Sequence, residues 1–534
     1  EFLIALSNFQ HANGIAITGV LDRDTMLIMT QLRCGVPDLT INPNATTTTP
    51  EPSTLSENEK KLAKMQNPNQ NDTDIVQTSV LLQRIILNSR RERRQRTKRS
   101  TLFQMYSTRS GWGLAFPGRT ITWRLVGELL WPSSNNQFMT SNEVWFTVKL
   151  AFRMWSEILP RNFLEDTVSP VSEVDILLGF GTNRHNRCPV PFTTQGQFIQ
   201  EYAHAWPLPQ AEIHFNDRQP YTRSSSNYPI SLLKVAIHEI GHTLGLPHSD
   251  DRMSIMNPYY KPIQGSKDTD ELRTSDRNSI QNIYGSCELP FDVAFDWVRR
   301  ERAEDGVYRW KYNSYFFRRQ WYWLYENRHH RPRYGDPKLT AHHWLGIMQI
   351  NDQHRKIDGI VHVRELNSPE GPTFFFKGDI FLEYDNDRSR AKIRDSAGNR
   401  YPRRIKDGFP GVPYPIDTVF YKADERIIYF FKNNLVYKFH WPSKRVVDVK
   451  TVSTTFPGWG GAAPLPSNID SAYYSYTSQA YFFFKGAYFW KMAGNQERYL
   501  NRRIRIPNNS VGPRRRTSST WRDICDVGET ELVM

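Results

Sequence analysis

The stretch HEIGHTLGLPH, residues 238–248, holds three histidines and a glutamate. His238 and His242 stand four apart, so on a helix both imidazoles leave one face and can hold one metal ion. Gly245 lets the chain break from that helix, and His248 returns as a third ligand. Three protein nitrogens leave the fourth tetrahedral position to water, the arrangement of a catalytic rather than a closed structural zinc. Glu239, beside the first ligand, is then a general base within reach of that water. Zinc would lower the water's pKa to about 7, polarise a carbonyl and stabilise the developing oxyanion. A bare HExxH often arises by accident; the extended pattern fixes more positions, with the rare His at three, against the competing reading of satisfied core histidines. Met256, in SIMNPYY, fits a methionine turn under the three histidines, although alone it would read as ordinary core.

Four cysteines, Cys34, Cys188, Cys287 and Cys525, are too few for a disulfide-dense scaffold, so each needs its own explanation. Cys34 lies in RCGVPD (33–38). A thiolate is a soft, strong zinc ligand, and a segment carrying it into the open position would displace the catalytic water. Arg33 and Asp38 could pair and hold that loop's shape. The alternatives are a buried free cysteine and a partner for disulfide exchange. Farther on stands RRERRQRTKRS (90–100), which contains Arg96, Lys98, Arg99 and Ser100. In isolation such a run is a solvated face or a nucleic-acid patch. Placed between a linker and an ordered segment, it suits the acidic cleft of a furin-like proprotein convertase, with cleavage after Arg99. That cut would let the segment bearing Cys34 leave.

A chain of 534 residues is too long for one core. We read it as α+β multidomain. Residues 1–38 form a helical prodomain core. Residues 39–99 are a Thr/Pro/Asn-rich linker insert ending at the cleavage run. Residues 100–285 form an α/β zinc protease domain of mixed strand and helix patterns. TITWRLV alternates as a strand, VWFTVKLAFRMWSEI has helical spacing, VSEVDILLGFG reads as a buried strand, and ISLLKVAIHEIGHTLG is a helix capped by Ser231. Residues 287–525 repeat: FDVAF (291), IDGIV (357), IDTVF (416) and IDSAY (469) each precede an aromatic strand pair, which implies a four-bladed propeller. Residues 526–534 are a tail.

Cys287 and Cys525 bracket the repeats, so a disulfide joining the first and last blades is the natural inference. In the chain-entropy model it contributes about 4–5 kcal/mol and implies an oxidising compartment. Asn44, Asn71 and Asn508 head glycosylation sequons. No apolar run is long enough to span a bilayer. The chain opens at EFLIALSNFQ without a methionine, so we expect its true N-terminus and signal peptide to lie upstream, and expect secretion. The formal charge of +14 admits acidic partners, yet no nucleic-acid motif accompanies it. NRRIRI (501–506) and PRRR (513–516) suit sulfated glycans, or are dispersed solubilising charge.

With RCGVPD, the extended histidine motif, the methionine turn and the repeats in this order, the chain resembles the matrix metalloproteinase family over nearly its whole length. The resemblance implies a metzincin protease domain and a haemopexin-like propeller. It implies catalytic-zinc ligands His238, His242 and His248, catalytic Glu239 and switch residue Cys34. It also implies that AHAW (203–206) lies near an edge strand where extended substrate adds, that NPYY (257–260) walls the specificity pocket, and that tissue inhibitors of metalloproteinases are partners. Position 32 is Leu where the family's switch begins with proline. The family's structural zinc uses three histidines and an aspartate; here His185, His204 and His214 are present, but Arg187 stands at the aspartate position. Cys188 could replace the carboxylate; the alternative is a free thiol and no second zinc. The calcium loop is shortened around PLPQAEIHFND, so Ca²⁺ is a family expectation alone.

The function expected is a secreted, latent zinc endopeptidase, activated by convertase cleavage and hydrolysing extracellular proteins. The competing class is an extracellular binding protein that acts mainly through its propeller, because fold alone does not establish catalysis.

Overall fold

The computed structural model describes residues 6–7, 10, 16–22, 25–26, 34, 112–126, 139–182, 185, 188, 191–192, 201–222, 230–260, 272–303, 305–347, 356–494 and 506–526. Most of the expected helical prodomain, the linker and the cleavage run, including Arg33, Asp38, Asn44, Asn71, Arg96, Lys98, Arg99 and Ser100, lie outside the described residues, as does Arg187. The described residues fall into two compact units, one within Glu1–Ala151 and Glu165–Ile283, the other within Phe152–Leu164 and Tyr284–Met534.

In the first unit a sheet carries the site. Strands β1 (Thr120–Leu125), β2 (Ile176–Gly181), β3 (Ala203–Ala205) and β4 (Glu212–Asn216) lie in the order β1-β2-β4-β3. The first three in that order run parallel, and β3 is antiparallel at the edge. ILLGFG is buried at every position, as a strand covered on both faces requires. The strand begins later than VSEVDILLGFG suggested: Val171–Glu173 is a short 3-10 turn, and Asp175 stays outside β2 to accept hydrogen bonds from Thr122 N and Oγ1 at 2.9 and 3.0 Å. Helix α1 (Ser141–Ser156) buries Val144, Val148, Ala151, Phe152 and Trp155 along one stripe of 3.6-residue period.

Helix α2 (Leu232–Thr243) starts at Ser231, whose hydroxyl accepts from Lys234 N at 3.3 Å. It stops because Gly245 follows at φ +101°, a conformation β-carbon sterics discourage. Space demands the glycine too: a Cβ there would stand 2.9 Å from the Leu114 carbonyl oxygen. Helix α3 (Thr274–Tyr284) carries Asp276 in its first turn.

The second unit carries the four-bladed propeller. The innermost strands are Val293–Arg302, Gly359–His362, Thr418–Lys422 and Ser471–Ser475, each antiparallel to the next strand of its blade. Aromatic side chains fill the wedge between each blade and the next. Trp297, Trp344 and Phe375 pack between the first and second blades, and Phe376, Phe409 and Phe430 between the second and third. Phe420, Phe456 and Phe483 follow, then Phe316, Phe484 and Trp521 between the last blade and the first. The disulfide Cys287–Cys525 joins the ends across a sequence separation of 238.

The aspartate that opens each repeat has a backbone task. Asp292, Asp358, Asp417 and Asp470 each accept a hydrogen bond from the amide of Arg319, Gly378, Asn433 or Gly486. Those four residues sit at φ between +54° and +60°, in the turn after the second strand. The carboxylate therefore pins the one left-handed residue each hairpin needs. The next position links blades. Thr418 Oγ1 accepts from Ala472 N at 2.9 Å and Ser471 Oγ from Ala294 N at 2.7 Å. At the same position Gly359 admits close packing instead, since a Cβ would stand 2.7 Å from Val419 Cγ1.

Candidate metal centres

Helix α2 presents its histidines by controlling their protons. His238 Nδ1 lies 2.6 Å from the Ile255 carbonyl oxygen and His242 Nδ1 2.7 Å from that of Leu246. A carbonyl only accepts, so each Nδ1 carries the proton and donates it, which leaves each Nε2 lone pair for a metal. The two Nε2 atoms stand 3.0 Å apart. The His248 ring packs 4.8 Å, centroid to centroid, from that of His242. Burial holds both helix imidazoles neutral: His238 is pushed down to about 3 and His242 well below its ordinary value, first by loss of water and then by neighbouring histidines.

Cys34 enters this group from the far end of the chain. Its Sγ lies 3.6 Å from His242 Nε2 and 3.7 Å from Glu239 Oε2, and its amide donates to Pro258 O at 2.9 Å. One ligand atom each from Cys34, His238, His242 and His248 fall within 4.8 Å of one another. A zinc tetrahedron with bonds of about 2.0–2.1 Å to nitrogen and about 2.3 Å to sulfur puts nitrogens about 3.4 Å apart and nitrogen about 3.6 Å from sulfur. The observed separations match that size, so the donor set fits zinc. Glu239 is fully buried, and its Oε1 has no hydrogen-bond partner among the described residues. Its carboxyl is raised well above the usual range, by burial first and by the charge of Glu201 as well, while its contact with Cys34 works in the opposite direction.

Around this centre stand residues the sequence marked, Met256, NPYY and AHAW, and others it did not, Asp276, Trp112 and Tyr202. Asp276 accepts from Ile255 N at 3.1 Å and from the Ser254 hydroxyl, which fixes the turn whose Ile255 carbonyl holds His238. Met256 is buried in that turn, and Ser249 N donates to its carbonyl at 2.9 Å. Trp112 meets the His242 ring edge-on at 5.3 Å, held by Gly113 N donating to Gly245 O at 2.9 Å. The Tyr202 ring stands T-shaped to His238 at 6.3 Å. Tyr260 of NPYY accepts from Ser231 N at 2.7 Å, tying that segment to the start of α2. AHAW coincides with the edge strand β3.

The remaining cysteine and three further histidines make a second group of the same composition. His185, Cys188, His204 and His214 bring one ligand atom each within 4.8 Å of one another. His185 Nε2 lies 3.0 Å from His214 Nδ1, His204 Nε2 lies 3.3 Å from the same atom, and Cys188 Sγ lies 3.3 Å from His204 Nε2. These separations also suit a metal tetrahedron. His204 and His214 face each other because β3 and β4 pair them directly. His185 folds over the end of β2, where Gly181 makes room; a Cβ there would stand 2.7 Å from His185 Cβ. Burial pushes His204 down to about 3 and also lowers His214.

Comparison with known proteins agrees with this geometry. A Matrixin family model matches residues 116–285, and a Hemopexin model matches residues 305–349. Matrix metalloproteinase-21 of Xenopus laevis is 41% identical over 532 residues, 99% of this chain and 82% of that protein. The human protein of that name is 39% identical over 547 residues, 99% of this chain and 85% of its own length. The chain belongs to the matrix metalloproteinase family. It is therefore a zinc metalloendopeptidase with a haemopexin-like propeller, and membership makes it an extracellular protein. Interstitial collagenase of Equus caballus is more distant, 26% identical over 364 residues, 58% of this chain and 71% of that protein. No helix among the described residues is long and apolar enough to cross a membrane.

Proposed function

We propose that the protein is secreted as a latent endopeptidase, freed by cleavage after Arg99, that cuts extracellular proteins at the His238–His242–His248 centre. The observation that supports this reading most is the position of the Cys34 thiol, 3.6 Å from His242 Nε2. A ligand seated there takes the place that water and substrate need.

Bound zinc supplies Lewis acidity, which makes water a nucleophile near neutral pH and polarises the scissile carbonyl. His238 and His242 bind through Nε2 because their Nδ1 protons are committed to Ile255 O and Leu246 O. Glu239 takes the proton of the attacking water at a carboxylate oxygen and passes it to the leaving amine. Its burial favours holding that proton between the two transfers. Edge strand β3 offers main-chain groups to an extended substrate. The His185, Cys188, His204 and His214 group holds a second, structural zinc that ties the loop after β2 to strands β3 and β4.

The test uses convertase-processed protein and a quenched peptide library. Wild type is expected to hydrolyse a subset of peptides and Glu239→Ala to fall to background. Equal background in both would instead favour a protein that acts through its propeller.

A further inference from the structure

We infer that the second metal centre is a Cys–His₃ site in which the Cys188 thiolate is a direct zinc ligand and Glu201 is the positioning residue that aims His204. This rests on the second-zinc reading above and names its donors. Three observations carry it.

The first is size. The nitrogen–nitrogen separations of 3.0 and 3.3 Å and the Cys188 Sγ–His204 Nε2 separation of 3.3 Å are of the size found between ligands around one ion. The second is proton placement. Glu201 Oε1 lies 2.6 Å from His204 Nδ1. A carboxylate there accepts the Nδ1 proton and turns the Nε2 lone pair toward Cys188 and His214, the carboxylate–histidine–metal arrangement that raises ligand basicity. Glu201 is itself held in place, its carbonyl accepting from Asn216 Nδ2 at 2.8 Å. The third is the shell. Phe192 stacks on His185 at 4.6 Å and on His204 at 4.5 Å, while the Trp206 ring stands 4.6 Å from His204. These rings help bury His204, and His214 is buried as well, while His185 and Cys188 stay partly exposed.

The chemistry also explains why a lone thiol is compatible with an oxidising compartment. Cys287 and Cys525 are paired with each other, and Cys188 lies outside that disulfide. Zinc binding takes the thiol proton and occupies the sulfur lone pair, which suppresses both oxidation and exchange.

The full-length precursor carrying Cys34→Ser is the protein to test, because Cys188 is then its only thiol. Zinc per chain is measured after dialysis, and the zinc is exchanged for cobalt. We expect two zinc ions, a sulfur-to-cobalt charge-transfer band in the near ultraviolet, and loss of one ion and the band in Cys34→Ser/Cys188→Ser. Glu201→Gln should keep the band but weaken binding of the second ion about 10–100-fold in a chelator titration. One zinc per chain at the start would overturn the second-metal reading. Two ions with no band, or two ions retained without Cys188, would overturn the thiolate alone. Should the double variant misfold, thiol labelling of Cys34→Ser decides: Cys188 should label at least about 10-fold faster after chelation, and an unchanged rate would refute its ligation.

Discussion

The molecule contains two groups of one thiol and three imidazoles, and they differ in where the thiol comes from. In one, Cys34 reaches the histidines across 208 residues of sequence; in the other, Cys188 lies 16 residues from His204. A thiol on a distant segment can be taken away by cutting the chain between, which turns a closed four-ligand centre into an open three-ligand one. A thiol on the same short loop stays. The carboxylates differ in the same sense. Glu239 stands beside the first thiol with a buried oxygen that has no partner among the described residues, whereas Glu201, the carboxylate of the second group, is committed to His204. On the function proposed above, identical donors would serve an opening site and a permanent one.

The largest effect that separates the two is loss of the base. Glu239→Ala should lower kcat/KM by about 10²–10⁴ while both zinc ions remain. Metal analysis beside peptide kinetics checks this, and a variant that lost zinc would blur the distinction between base and ligand. Next comes Gly181→Ala, whose methyl would collide with His185. It should weaken the second zinc about 10–100-fold and leave the first unchanged. Equal loss at both centres would mean that the groups are coupled rather than independent.

The smallest effect is on pH dependence of the chelated protein. His204 and His238 are held at about 3 when folded, against an ordinary value of 6.5, because burial disfavours their charged forms. Between those values the unfolded chain binds more protons than the folded one, so stability falls as pH drops from 6.5 toward 3 and is level above 6.5. Melting curves from about pH 7 to about pH 5 should show the midpoint falling in chelated protein, with zinc-loaded protein melting higher at each pH and also losing stability as protons compete for its ligands. A level curve in the chelated form would contradict the buried, neutral imidazoles.

Much of this was legible in the sequence, and the parts that were not share a cause. The spacing of His238, His242 and His248 encodes a helix, a stop and a return, so local geometry specifies the ligand set. The repeats announced the propeller through their aromatic pairs. Their aspartates were visible as a period, but the amides of Arg319, Gly378, Asn433 and Gly486 that they hold come into reach only after the hairpins close. Cys188 left two readings open, because its partners His204 and His214 meet through strand pairing rather than through sequence spacing. Glu201, Asp276 and Trp112 act through contacts with chain tens of residues away or around a turn, and no periodicity marks them. The start of β2 fell later than its apolar run suggested because Asp175 is spent on Thr122.

The most direct test of the central claim is peptide hydrolysis by uncut precursor, comparing wild type with Cys34→Ser. Removing the sulfur should give activity without any cleavage, activity that Glu239→Ala in the same background abolishes. An uncut Cys34→Ser precursor with its zinc in place and no more turnover than wild type would show that the thiol is not what keeps the enzyme silent.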